Sequence, residues 1–256
     1  MTAEEFIRLA RVHFPDITKE MEDRFRLLEP LYNEWNARIN VISRKDISSL
    51  YLRHVMHSLS IAAYIRRENP ELHSAMSGRG KEPKDSKVKI LDLGTGGGFP
   101  GIPLAIMYPN ADFTLCDSVG KKTIVAGEVA ESLGLENATI VNARAESLNE
   151  TFDFVVSRAV TSLDNFVPWV AGKYTRNIFY LKGGDFAEEV CNVMSKYGLA
   201  PGSIKTWKLT DWIDDEIFTE KYIIDIPAVK GKSSSKSHTC SKSKNGTDKA
   251  LKIGKK

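Results

Sequence analysis

Over the first 70 residues apolar positions recur three and four apart between charged ones, the spacing that gives a helix one apolar face. Residues 3–13 predict a short helix. Residues 19–38 predict a long one, with Phe25, Leu28, Leu31, Tyr32 and Trp35 one or two turns apart. Asp46, followed by Leu50, Val55, Leu59 and the run from Ile61 to Ile65, predicts a third helix ending near Asn69 and Pro70. Residues 1–76 are thus expected to form a helical region packed against the remainder of the chain. Residues 77–87 (SGRGKEPKDSK) hold no apolar side chain but two Gly and a Pro, the composition of a flexible connector.

From residue 87 the period changes. Short apolar runs of strand length appear at 88–93, 112–117, 138–142, 152–157, 177–182, 204–209 and 221–226. Helical stretches separate most of them, near 101–108, 120–133, 163–173 and 185–197. Strands alternating with helices predict a mostly parallel seven-stranded sheet, covered on both faces, over residues 88–229. The last two runs have no helix between them and are expected to pair as an antiparallel hairpin at one end of the sheet.

Charge divides the chain at the same scale. The net +3 is uneven: residues 230–256 carry nine Lys and one Asp, or +8, which leaves −5 for residues 1–229. The basic balance therefore belongs to a Lys- and Ser-rich tail too poor in apolar residues to order itself. That tail reads as a solvated extension or as a non-specific electrostatic anchor for RNA. Charged residues interrupt the apolar positions of the first turns, against a signal peptide. No apolar window approaches membrane length, so no membrane association and a cytoplasmic location are expected. Cys116, Cys191 and Cys240 are too far apart for a zinc site and too few for a disulfide framework, and no metal is expected.

The segment with the sharpest chemistry is ILDLGTGGGFPG, residues 90–101, at the end of the first strand run and the start of a helical one. Its glycines allow a tight turn and close approach of a ligand to backbone N–H groups. Gly96, Gly98 and Gly101 satisfy G-x-G-x-x-G, and Asp117 stands at the distance of a ribose-binding acid. This pattern serves NAD or S-adenosylmethionine (SAM). Asp92, just before the glycines, favours SAM, because a carboxylate there can accept hydrogen bonds from a cationic amino group and would repel a pyrophosphate. Asp117 can take ribose hydroxyls in either case. Ala145 and Glu146, after the third strand run, stand where they can border an adenine.

These elements resemble the RsmG (glucose-inhibited division protein B) family of small-subunit ribosomal RNA methyltransferases. The likeness spans roughly residues 20–226 and runs in order through LYNEWNARINVISRKD, LYLRHVMHSLSIA, DLGTGGGFPGIPLAI, FTLCDSVGKK, NARAES, VVSRAVTSLDNFVPW and FYLKG. The resemblance implies a class I, Rossmann-like SAM-dependent methyltransferase with an N-terminal helical extension. It further implies methyl transfer to a guanine N7 of 16S rRNA in the small subunit, with S-adenosylhomocysteine as product. Its SAM contacts fall on Gly94, Phe99, Ala145, Glu146 and Arg158; Asp92, Gly96 and Asp117 are added by the chemistry above. One departure is His57, where the family often has Asp.

Guanine N7 carries no proton, so no general base is expected. Cys116, within a strand run, is a poor nucleophile for the alternative chemistry at cytosine C5. Arg158 is the candidate for touching both ligands, orienting SAM or donating to guanine O6; its bland alternative is a structural ion pair. Arg44, Lys45, Arg53, His54, Lys121, Lys122, Arg144 and Lys182 are candidate RNA contacts, whereas Trp35 reads as core. The protein is expected to be a monomer. The rival readings are an NAD-dependent oxidoreductase and a catalytically silent RNA-binding or ribosome-assembly factor.

Overall fold

The computed structural model describes residues 1–43, 45–79 and 87–231. Arg44, most of the expected connector and the tail beyond residue 231 lie outside the described residues.

The helical region begins with α1 (Ala3–His13), whose Thr2 and Glu5 form a reciprocal capping box. Thr18 caps α2 (Lys19–Arg38). Arg11 clamps the two helices together by holding the buried Glu22 carboxylate through two guanidinium nitrogens, at 2.6 and 2.8 Å. The third expected helix is real but not uniform. A 3-10 turn at Ile47–Ser49 leads into a π-helical turn, Tyr51–Met56, and only then into α3 (His57–Glu68). The third helix ends where expected, with Asn69 as its cap, and Pro70 opens a further helix, α4 (Pro70–Met76), capped by Asn69, because proline lacks only the N–H that a first turn leaves unpaired.

The sheet consists of β1 (Val88–Leu93), β2 (Ala111–Asp117), β3 (Ala138–Asn142), β4 (Phe152–Arg158), β5 (Tyr174–Gly183), β6 (Lys205–Lys208) and β7 (Lys221–Pro227). Their spatial order is β3-β2-β1-β4-β5-β7-β6. The first five are parallel, and β7 runs antiparallel between β5 and β6. The expected hairpin therefore forms, with its second strand inserted inward. Order reverses at β1 and β4, the switch point where open α/β sheets bind ligands beyond the strands' carboxyl ends.

On one face of the sheet lie α5 (Gly101–Met107) and α6 (Gly120–Ser132). A single apolar cluster there joins Ile90, Phe113 and Phe154 of the strands to Phe6, Phe25 and Tyr51 of the helical region. On the other face α7 (Leu163–Val170) and α8 (Ala187–Tyr197) cover Leu91, Val155 and Tyr180. The helical region thus shares a core with the sheet. Among the described residues no helix is long and apolar enough to cross a membrane.

Candidate active site

The glycine-rich turn between β1 and α5 is built around Asp92. Its carboxylate is fully buried; Oδ2 accepts from Thr95 Oγ1 at 2.6 Å and from the Gly101 N–H at 2.7 Å, while Oδ1 has no partner. Burial pushes the acid up to about 7. Two glycines are dictated by space. A Cβ on Gly94, at φ +76°, would lie 2.3 Å from Val160 Cγ2, and one on Gly101 would lie 2.6 Å from Asp92 Oδ2. The helical region braces the turn from behind: Tyr32 donates its hydroxyl to the Gly97 carbonyl at 2.7 Å, and Val41 packs where a Cβ on Gly97 would sit.

Asp117, at the end of β2, ties this turn to the next. Its Oδ2 accepts from the Gly96 N–H at 2.9 Å and its Oδ1 from the Val119 N–H at 2.8 Å. Each carboxylate oxygen has a second lone-pair site for a ligand hydroxyl. After β4, Ala159 takes φ +47°. The adjoining loop is pinned by Tyr180, whose hydroxyl receives the Val160 and Thr161 N–H groups and donates to the Thr161 carbonyl.

These turns enclose a cleft of about 440 Å³ at the carboxyl ends of the strands, within the usual size of a small-molecule site. Gly94, Asp117, Ala145, Glu146 and Arg158 line it, as do Lys122 and Arg144. Val160 and Trp169 also line it; neither was among the expected site residues, although Val160 stands just past a strand end in its RAV motif. Asp92 and Phe99 are buried and do not line it, and Gly96, partly exposed, also falls outside its lining. Phe99, 3% exposed, sits among Tyr32, His54 and Arg158, with the guanidinium 5.3 Å from its ring centre.

Arg158 is the junction of the site. Burial draws its guanidinium down to about 10, and no carboxylate among the described residues lies within ion-pair distance of it. It also lines a second cavity, of about 270 Å³, on the side of the helical region. Arg53, His54 and Lys182 line this cavity too, joined by Asp46, His57 and Lys221, which sequence reasoning did not assign to a site. Asp46 and His57 flank the motif around Arg53, and His57 stands out as the departure noted above, whereas Lys221 carries no local signal.

Three of the expected RNA contacts change character. His54 is no surface contact, since both its ring nitrogens are buried without a partner; burial and the neighbouring Arg158 push it down to about 3. The Lys182 ammonium is held by Glu189 at 2.8 Å and is largely buried. Arg53 stands 3.5 Å from Asp46. Lys45 and Lys121 are exposed and line neither cavity; Arg44 lies outside the described residues. Trp35 is half-buried and packs against the core, with Arg38 over its ring. Cys116 is fully buried, its thiol raised to about 11, as suits an inert core residue.

A Rossmann-like sheet of this order, with a glycine turn after β1, acids ending β1 and β2, and a cleft across the switch point, defines a class I methyltransferase. The fold is shared by a magnesium protoporphyrin IX methyltransferase from Synechocystis PCC 6803 with bound SAM, at 14% identity and a TM-score of 0.54, covering 87% of this chain and 97% of that one.

Within that class the chain belongs to the rRNA small subunit methyltransferase G family, whose model matches residues 21–200. The ribosomal RNA small subunit methyltransferase G of Christiangramia forsetii is 44% identical over 229 residues, covering 86% of this chain and 97% of its own. That of Bacteroides fragilis is 41% identical over 229 residues, covering 86% and 92%.

Proposed function

We propose that this chain transfers a methyl group from SAM to N7 of a guanine in 16S rRNA, acting on the small ribosomal subunit or its RNA. The observation that carries the reading is Arg158, a partly buried guanidinium without a carboxylate partner among the described residues, which forms part of two adjoining cavities. One cavity suits a cofactor and the other a substrate.

The cleft fits SAM by its donor set. Asp117 offers a carboxylate to ribose hydroxyls, Ala145 and Glu146 border the space for an adenine, and the Asp92 Oδ1 is a buried acceptor without a donor, behind the glycine turn. An NAD pyrophosphate would lie against a turn backed by an acid rather than a cation. When bound, SAM supplies an electrophilic methyl group on a positively charged sulfur.

The protein's own task is then alignment. Guanine N7 attacks with an in-plane lone pair and loses no proton, so no side chain has to serve as a base. Arg158 orients the base and must leave N7 itself free, which restricts it to O6 of the two acceptors on that edge. Holding reactants in line can supply roughly 7–11 kcal/mol at best. Phe99 fixes the guanidinium from behind. Exposed Lys45, Lys121 and Arg144 suit phosphate contacts.

The test is labelled methyl transfer from SAM to small subunits, 16S rRNA and large subunits prepared from cells lacking the enzyme. Label confined to the small subunit or its RNA is expected. Label only on large subunits overturns the substrate class; no label at all while SAM still binds overturns the activity and favours the silent RNA-binding reading.

A further inference from the structure

The second cavity holds a set of groups that packing alone does not account for. His57 is 8% exposed and its Nε2 is buried with no hydrogen-bond partner; both nitrogens of His54 are in the same condition. Buried ring nitrogens without partners are rare because each forgoes its hydrogen bonds to water. These two histidines line one cavity, together with Arg158, Lys221, Arg53 and Asp46. The backbone is shaped around them. His54 lies in the π-helical turn Tyr51–Met56, a geometry common at functional sites. Ser58 and Ser60 donate their hydroxyls to the carbonyls of His54 and His57, at 2.7 and 2.6 Å.

Burial, with Arg158 and Lys221 nearby, holds both rings neutral. A neutral imidazole offers one donor and one acceptor nitrogen. The cavity therefore presents cationic donors from Arg158 on the wall it shares with the cofactor cleft, and imidazole acceptors on the helical wall.

Resting on the methyltransfer reading above, we infer that this cavity receives the acceptor base, with His54 and His57 accepting hydrogen bonds from the N–H groups of a 6-oxopurine whose O6 faces Arg158. Guanine carries donors at N1 and the 2-amino group as well as the O6 acceptor. Adenine presents an amino donor where guanine has O6, so a donor would meet the guanidinium and leave a partly buried cation unpaired. Enzymes that act on a base commonly read it in a fitted pocket through that edge.

The experiment compares His57→Asn, His57→Asp and His57→Leu in the full chain, measuring kcat/KM for small subunits and SAM affinity by calorimetry. Leu is close to the ring in size and removes both nitrogens, and the urea midpoint of each variant checks that the fold is kept. It should lower kcat/KM about 10- to 100-fold, the range for leaving a buried donor unpaired, with SAM affinity unchanged. Asn and Asp, which keep an acceptor, should stay within about threefold of wild type. Wild-type activity in the Leu variant, or equal loss in all three, overturns the inference, whereas methyl transfer by the unaltered chain continues to support the function.

A second readout is the ring resonances of His54 and His57 in protein saturated with S-adenosylhomocysteine. Millimolar guanosine monophosphate should shift them; adenosine monophosphate and inorganic phosphate should not. No shift with the guanine nucleotide, or an equal shift with phosphate alone, contradicts the assignment.

Discussion

The two cavities that meet at Arg158 are made in different ways. The larger is bounded chiefly by turns at strand ends: Gly94 after β1, Asp117 ending β2, Ala145 and Glu146 after β3. The smaller is assembled from separate stretches, with Asp46, Arg53, His54 and His57 from the helical region, Arg158 from β4, Lys182 from β5 and Lys221 from β7. A cofactor common to a whole fold class can be bound by local turns repeated along a sheet. A particular acceptor needs side chains brought together from distant sequence, so specificity depends on how the helical region docks on the sheet.

The sharpest way to break this division is to remove the residue both cavities share. Arg158→Met should lower single-turnover methyl transfer about 100- to 1,000-fold, the effect of removing one preorganised donor from a reacting centre. SAM affinity measured by calorimetry should fall much less. Equal losses in both would make Arg158 a cofactor residue alone.

Gly94→Val attacks only the larger cavity. A Cβ there collides with Val160 and the positive φ is strained for a branched residue. At roughly 1–3 kcal/mol for such strain, SAM affinity should fall about 10- to 100-fold, with RNA affinity in filter binding unchanged. Asp117→Ala should weaken SAM about tenfold by the loss of a ligand-facing acceptor, again leaving RNA binding intact. Wild-type SAM affinity in that variant would remove the ribose assignment.

The smallest effect concerns the second cavity and pH. His54 has a folded value of about 3, below its ordinary 6.5, so the fold favours the neutral ring. The stability this contributes is complete above pH 6.5 and is lost as pH falls from 6.5 towards 3. His54→Phe should therefore flatten the change in urea midpoint between pH about 7.5 and about 5. An unchanged slope would mean that His54 is hydrated in solution.

The same contrast explains what could be read from the chain. Strand and helix periods located the sheet to within a residue or two at most ends, and Gly94, Asp117 and Glu146 were legible because each stands at or near the end of a strand run. Asp92 and Phe99, expected ligand contacts, are buried and stand outside the cleft lining. Their neighbours in the motif do not reveal that Thr95 and Gly101 occupy one oxygen of Asp92, or that Arg158 covers Phe99. The π-helical turn was invisible too, since its Tyr51–Met56 pattern suits an ordinary helix. Lys182 resembled a surface cation because its partner, Glu189, comes from α8. Contacts of this range are set by docking and leave no local period.

The most direct measurement of the central claim is the identity of the methylated nucleoside. After enzymatic transfer to small subunits, the 16S rRNA is digested and the labelled nucleoside is identified by chromatography and mass spectrometry. The expected product is 7-methylguanosine, because the site has a guanidinium to orient the base and needs no group to remove a proton. Recovery of a guanosine methylated at N1 or at the 2-amino group would require such a base and would contradict it.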